Sequence, residues 1–207
     1  MPLVTLDLPL ADTEIPSDVK SLIREAERRI ERFQFDGRVP GFVPSDFTRV
    51  YGILRALAEA DLAPGKLFCE WGSGFGVVAC LAALLEFDAC GIEIDRELVY
   101  AGQELAADFD LPVEFICGSF IPRGAKVSVN TDGGFAWLTT ESDSAHDELG
   151  LATDDFSIIF AYPWPDEEPV IEDLFDRYAA IGAILVTYHG GSDFLVRQKT
   201  QRRASRR

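Results

Sequence analysis

Several things are scarce in this chain. Its four cysteines, Cys69, Cys80, Cys90 and Cys117, form no Cys-x-x-Cys pair. That removes the usual spacing of a zinc or dithiol site and leaves them as small buried hydrophobes of a reducing compartment, with no metal expected. No apolar run reaches bilayer-spanning length; Ala79 to Leu85 is too short and reads as a buried helix. The stretch Met1-Pro2-Leu3-Val4 has neither the basic leader nor the apolar core of a signal peptide, so a cytoplasmic location without membrane contact is expected. Basic residues are few. The net charge is −16, and six of the 19 basic residues lie from Arg197 onward, leaving 13 against 35 acids, or −22, elsewhere. So acidic a body disfavours a nucleic-acid-binding face. Contact with an anionic partner would fall to the tail, 197–207, which reads as a solvated, disordered end. No repeat and no linker divides the chain, so one domain is expected over 1–196, with an arm and helices in 1–60.

What is present is a core-forming composition, 47% hydrophobic over 207 residues. Residues 1–14 read as an extended arm. Val19, Leu22, Ile23, Ala26, Ile30 and Phe33 recur at helical spacing from Ser17. A second helix starts at Ser45 or Asp46, either being a good N-cap, and Ala63-Pro64-Gly65 stops it. Strands at 66–71, 89–94, 113–117, 156–161 and 183–188 then alternate with helices near 75–86, 96–109 and 169–180. This rhythm argues for an α/β fold with a doubly wound, mostly parallel sheet. Residues 122–153 are too long for a simple connection and read as an insertion, with Trp137-Leu138-Thr139-Thr140 as its strand-like piece. After Tyr188 only Phe194-Leu195-Val196 remains as a strand, so the final strand pair looks shortened.

The chemistry concentrates in Phe68-Cys69-Glu70-Trp71-Gly72-Ser73-Gly74-Phe75-Gly76, a strand running into a glycine turn and then a helix. Gly72, Gly74 and Gly76 permit positive φ and let backbone approach a ligand, while the helix start offers free N–H groups. A dinucleotide fingerprint would need glycine at 77, where Val77 stands. This argues against a nicotinamide oxidoreductase, which stays as a weaker reading. One strand later, Gly91-Ile92-Glu93-Ile94-Asp95 ends in a carboxylate that can accept from both hydroxyls of a ribose; Asp95 suits a helix cap.

The Glu-x-Gly-x-Gly-x-Gly pattern resembles the first motif of the class I S-adenosylmethionine-dependent methyltransferases, over about Phe42 to Tyr188. The resemblance implies a Rossmann-like fold, S-adenosylmethionine as cofactor, Glu70 at its methionine end, Gly72, Ser73, Gly74 and Gly76 along its amino-acid and ribose portions, and Glu93 on the ribose. Phe42-Val43-Pro44-Ser45 resembles a turn of the seven-strand protein lysine methyltransferases, where the residue matching Ser45 touches the cofactor's carboxylate. The family's adenine-binding acid is replaced here by Cys117-Gly118-Ser119-Phe120. Ser119 is then the adenine's weaker polar partner, and Phe120 a ring that can stack on it.

Ala161-Tyr162-Pro163-Trp164-Pro165 ends the fourth strand of that series. It resembles the Asn/Asp-Pro-Pro-Tyr motif of amino methyltransferases and, in Pro-Trp-Pro, a piece of the tRNA guanine-N7 methyltransferases, but the polar residue that grips an amine is absent. Tyr162 and Trp164 would wall the reacting methyl, and His189 is the one plausible base; His146 receives no role. Asp166-Glu167-Glu168 suits a helix start or the attraction of a cation such as lysine. The expected function is methyl transfer to a protein side chain or a small molecule. The alternative is a methyltransferase-like binding or scaffold protein without turnover.

Overall fold

The computed structural model describes residues 3–9, 14–37, 42–127, 144–191 and 193–201. The expected strand-like piece at Trp137–Thr140 and the end of the basic tail lie outside them. The helices form where apolar spacing and caps coincide. Helix α1 (Ser17–Phe35) buries the face read from its sequence, Val19 through Phe33. Helix α2 (Phe47–Ala60) is capped by the Asp46 carboxylate, which accepts from the Arg49 N–H at 3.1 Å. Of the two candidate caps, Asp46 takes the role.

An arm strand β1 (Leu3–Thr5) precedes these helices, and the alternating part follows: β2 (Leu67–Trp71), α3 (Val77–Leu84), β3 (Asp88–Glu93), α4 (Arg96–Asp108), β4 (Glu114–Cys117), α5 (Ala145–Leu149), β5 (Ile158–Ala161), α6 (Glu168–Tyr178), β6 (Ile184–Tyr188) and β7 (Phe194–Lys199). The strands form one seven-stranded sheet in the order β1-β7-β6-β5-β2-β3-β4. Strands β2 to β6 pair in parallel, while β7 runs antiparallel to both β6 and β1. Alternation along each strand sorts side chains to two faces. Phe68, Phe115, Phe160 and Val186 meet α1 to α4; Cys69, Trp71, Ile159 and Leu185 meet α5 and α6. Burial on both sides explains why these strands read as apolar runs.

Two expectations are corrected at the sheet's edge. The final strand pair is not shortened: β7 continues to Lys199, and residues of the arm, β1, extend the sheet beyond it. Arg197 and Lys199 therefore belong to the sheet and not to a solvated tail. Both are buried. The Arg197 guanidinium lies 2.5 Å from Glu172 and 3.9 Å from Glu168, both on α6, and the Lys199 ammonium donates to the Ala179 carbonyl at 2.5 Å. Counting charges along the chain marks these two as tail because it cannot see their partners, the α6 carboxylates for Arg197 and the Ala179 carbonyl just beyond that helix for Lys199.

Candidate cofactor and acceptor site

Strand order reverses at β2, with β3 on one side and β5 on the other. Such a switch point opens a crevice at the strands' carboxyl ends. A cavity of about 500 Å³ lies there, within the range of small-molecule sites. It collects Ser45, Glu70, Gly72, Ser73, Gly74, Glu93, Phe120, Tyr162 and Trp164 from the residues singled out by sequence.

The glycine turn is shaped by its neighbours. Gly72, Gly74 and Gly76 have φ of +69°, +51° and +67°, a region that disfavours residues with a Cβ. At Gly74 a Cβ would sit 2.5 Å from the Phe42 ring, which folds across the turn from the segment before α2. At Gly76 it would sit 2.2 Å from Phe115 of β4. Gly76 thus corrects one expectation: it caps α3 and packs on the core, outside the cavity lining.

The two carboxylates are held differently. Glu93 accepts from Gly74 N–H at 2.8 Å through one oxygen, and from Ile94 N–H at 2.8 Å and Asp95 N–H at 3.0 Å through the other. Strand end and glycine turn are tied together by this one side chain. Burial pushes its pKa above the ordinary carboxylate value, and the three N–H groups oppose that shift. Glu70 points to the α3 face and accepts from Ala79 N–H at 2.9 Å. Burial, its largest influence, raises its pKa well above the ordinary value. A carboxyl so buried, with the Ala79 N–H to oppose the shift, would take up negative charge most readily beside a cationic ligand group. Asp95 does cap the next helix, accepting from Glu97 N–H at 2.8 Å.

Two more expected residues stand elsewhere. The Ser119 hydroxyl is buried and accepts from Ile121 N–H at 3.1 Å, shaping its own turn away from the cavity. His189 lies beyond β6, with Nε2 2.9 Å from the Thr187 hydroxyl and 3.6 Å from Glu168; it does not line the cavity. The chain alternates after Tyr188, and it is Tyr188 whose ring meets Tyr162, at 4.7 Å. Burial, with Tyr188 beside it, raises the Tyr162 pKa.

Sequence reading missed Trp71, Ile92 and Ile171 as lining residues, whereas Glu167, of the acidic run offered for a helix start or for attracting a cation, does line the cavity. Trp71 stacks on Phe120 with centroids 4.8 Å apart and planes 7° from parallel. The Glu167 carboxylate accepts from Trp164 N–H at 3.2 Å.

The sequence matches no family model and no curated protein. Solved structures are similar in fold. An RNA methyltransferase from Salinibacter ruber, in complex with S-adenosylhomocysteine, superposes with a TM-score of 0.53 at 16% identity, over 78% of this chain and 96% of that one. An O-methyltransferase from Bacillus cereus, also in complex with S-adenosylhomocysteine, gives 0.52 at 11% identity, over 86% and 68%. The O-methyltransferase TomG from Streptomyces achromogenes, in complex with S-adenosylmethionine, gives 0.50 at 14%, over 85% and 66%. The chain spans about two thirds of the latter two. The fold is therefore the mostly parallel, Rossmann-like sheet of the class I methyltransferases. No helix among the described residues is long and apolar enough to cross a membrane.

Proposed function

We propose that this protein is an S-adenosylmethionine-dependent methyltransferase. The observation that carries the reading is Glu93: a buried carboxylate at a strand end, fastened by three backbone N–H groups, facing a cavity beside a positive-φ glycine turn. One lone pair, on the oxygen that accepts from Gly74 N–H, is left by the three backbone donors and suits a ribose hydroxyl. Glu70 supplies a buried negative charge for the cofactor's cationic amino-acid end, Ser45 a hydroxyl for its carboxylate, and Phe120 a ring for its adenine. The similar folds are crystallised with this cofactor or its demethylated product, which supports the assignment. When bound, the cofactor supplies an electrophilic methyl on a sulfonium.

The chain's own work is alignment and exclusion of water. Tyr162 and Trp164 wall the place where an acceptor would sit. Trp164 is 37% exposed, so this wall opens to solvent. Aromatic faces beside the Glu167 carboxylate favour a cationic or amine-bearing acceptor, and a lysine side chain fits that description, in keeping with the resemblance of the Val43-Pro44-Ser45 turn. The absence of a polar grip at Ala161 favours the second reading, a binding protein without turnover. Calorimetry with S-adenosylhomocysteine and transfer of labelled methyl to a lysate separate them. Binding with transfer supports the enzyme, binding without transfer the scaffold, and no binding at high micromolar concentration removes both.

A further inference from the structure

The charge on the cavity wall is all of one sign. Among the described residues that line it stand four acids, Glu70, Glu93, Asp95 and Glu167, and no lysine, arginine or histidine. Glu70 and Glu93 are buried. Each acid accepts from backbone: Glu70 from Ala79 N–H, Glu93 from Gly74, Ile94 and Asp95, Asp95 from Glu97 and Leu98, and Glu167 from Trp164. Burial raises the Glu70 pKa, the Ala79 N–H opposes the shift, and the Glu93 charge adds to it. Two carboxylates therefore repel across the glycine turn. Ser73, in that turn, is buried, lines the cavity and has an Oγ without a hydrogen-bond partner. The wall lacks a polar contact and a positive charge, and a ligand can supply both.

A cleft walled by one sign of charge focuses its field inward. The cofactor of the reading above carries an ammonium, a carboxylate and a sulfonium, a net single positive charge. When the acceptor's lone pair takes the methyl, the C–S electron pair stays on sulfur, and the product is a thioether without net charge. The two molecules differ by one methyl and one charge. Drying a cation is costly, and here the cost is offset from two sides, by the carboxylates and by the ring faces of Tyr162 and Trp164. We infer that the acidic wall makes this site selective for the sulfonium over its thioether product, so that transfer itself loosens the spent cofactor. Glu70 at the glycine turn and Glu167 at the aromatic end both act as specificity-determining residues.

The inference rests on the methyltransferase reading for its ligand. Calorimetry on the full chain, at one neutral pH and without acceptor, compares three probes. They are S-adenosylmethionine, S-adenosylhomocysteine, and the analogue in which a carbon bearing a protonated amine replaces the methylsulfonium. Both cationic probes should bind at least about tenfold more tightly than the thioether. Glu70→Gln keeps an acceptor for Ala79 N–H and removes the charge, and it should cut that ratio by about threefold or more. Should Glu70→Gln not fold, Glu167→Gln should narrow the ratio in the same direction. A thioether that binds within tenfold of S-adenosylmethionine, or more tightly, overturns the inference and leaves the methyltransferase reading intact. So does an amine analogue as weak as the thioether, which would trace the preference to the methyl and not to charge. A ratio unchanged by loss of either carboxylate also overturns it. No binding of any of the three overturns the reading and the inference with it.

Discussion

The two ends of the cavity are built on different plans. At the β3 end, a carboxylate, a glycine turn and a helix start are interlocked through backbone N–H groups, and the turn's Cα atoms are pressed by Phe42 and Phe115. At the β5 end, the lining is aromatic and proline-bounded, and its outer ring is partly open to water. The first end has its polar geometry fixed before any ligand arrives, which is how a site commits to one molecule. The second offers shape and a stacking face, which suits a partner that brings its own rigidity.

This contrast can be broken by substitution. The largest effect is expected at Gly76→Ala, where a Cβ meets Phe115 at 2.2 Å in a positive-φ residue; about 3–5 kcal/mol of stability should be lost. Gly72→Ala has the same φ problem but open space around it and should cost only about 1 kcal/mol. Chemical denaturation compares the two, and equal losses would show that the interlock matters less than the backbone angle. Next, Glu93→Ala leaves three N–H groups without their acceptor and should weaken S-adenosylhomocysteine binding by about 100-fold in calorimetry. Unchanged affinity removes Glu93 from the site.

At the other end, Trp164→Ala should slow methyl transfer by about tenfold while changing cofactor affinity by less than about twofold. A matching loss in both would erase the division between the ends. The smallest effect concerns acidity. Glu70 holds its proton more strongly when folded than its ordinary value of 4.5 allows. Its contribution to stability is therefore complete below that value and is lost as pH rises through the folded pKa. Glu70→Gln should lessen that decline and raise the ligand-free melting temperature at neutral pH by about 2–4 °C. Glu93, shifted in the same direction, keeps part of the slope. A Glu70→Gln protein that melts with the wild-type pH dependence would locate the titration elsewhere.

Much of this was readable in the chain. Helical spacing gave α1, and the alternation of apolar runs with helices gave the parallel core, because both patterns are local. Glu93 and the glycine turn were legible because strand, turn and helix follow one another directly. What escaped was set by distant neighbours. Gly76 faces Phe115 from β4; Ser119 is the local exception, its hydroxyl accepting from Ile121 N–H two residues on. His189 is drawn to Thr187 and α6, and Arg197 is buried by two acids on that helix. The arm's pairing with β7 had no local signature, since three residues carry too little pattern.

That pairing has a temporal side. Leu3 sits opposite Lys199 and Thr5 opposite Arg197, so the sheet's outer margin cannot close until translation has passed position 199. Until then β1 has no strand to join, and β7, once made, presents an open hydrogen-bonding rim if the arm is late or has been trimmed. Contacts of such sequence distance form slowly. A nascent chain of this protein is thus most vulnerable to misassociation at the margin farthest from β4, in the interval between the emergence of β7 and the return of residues 3–5.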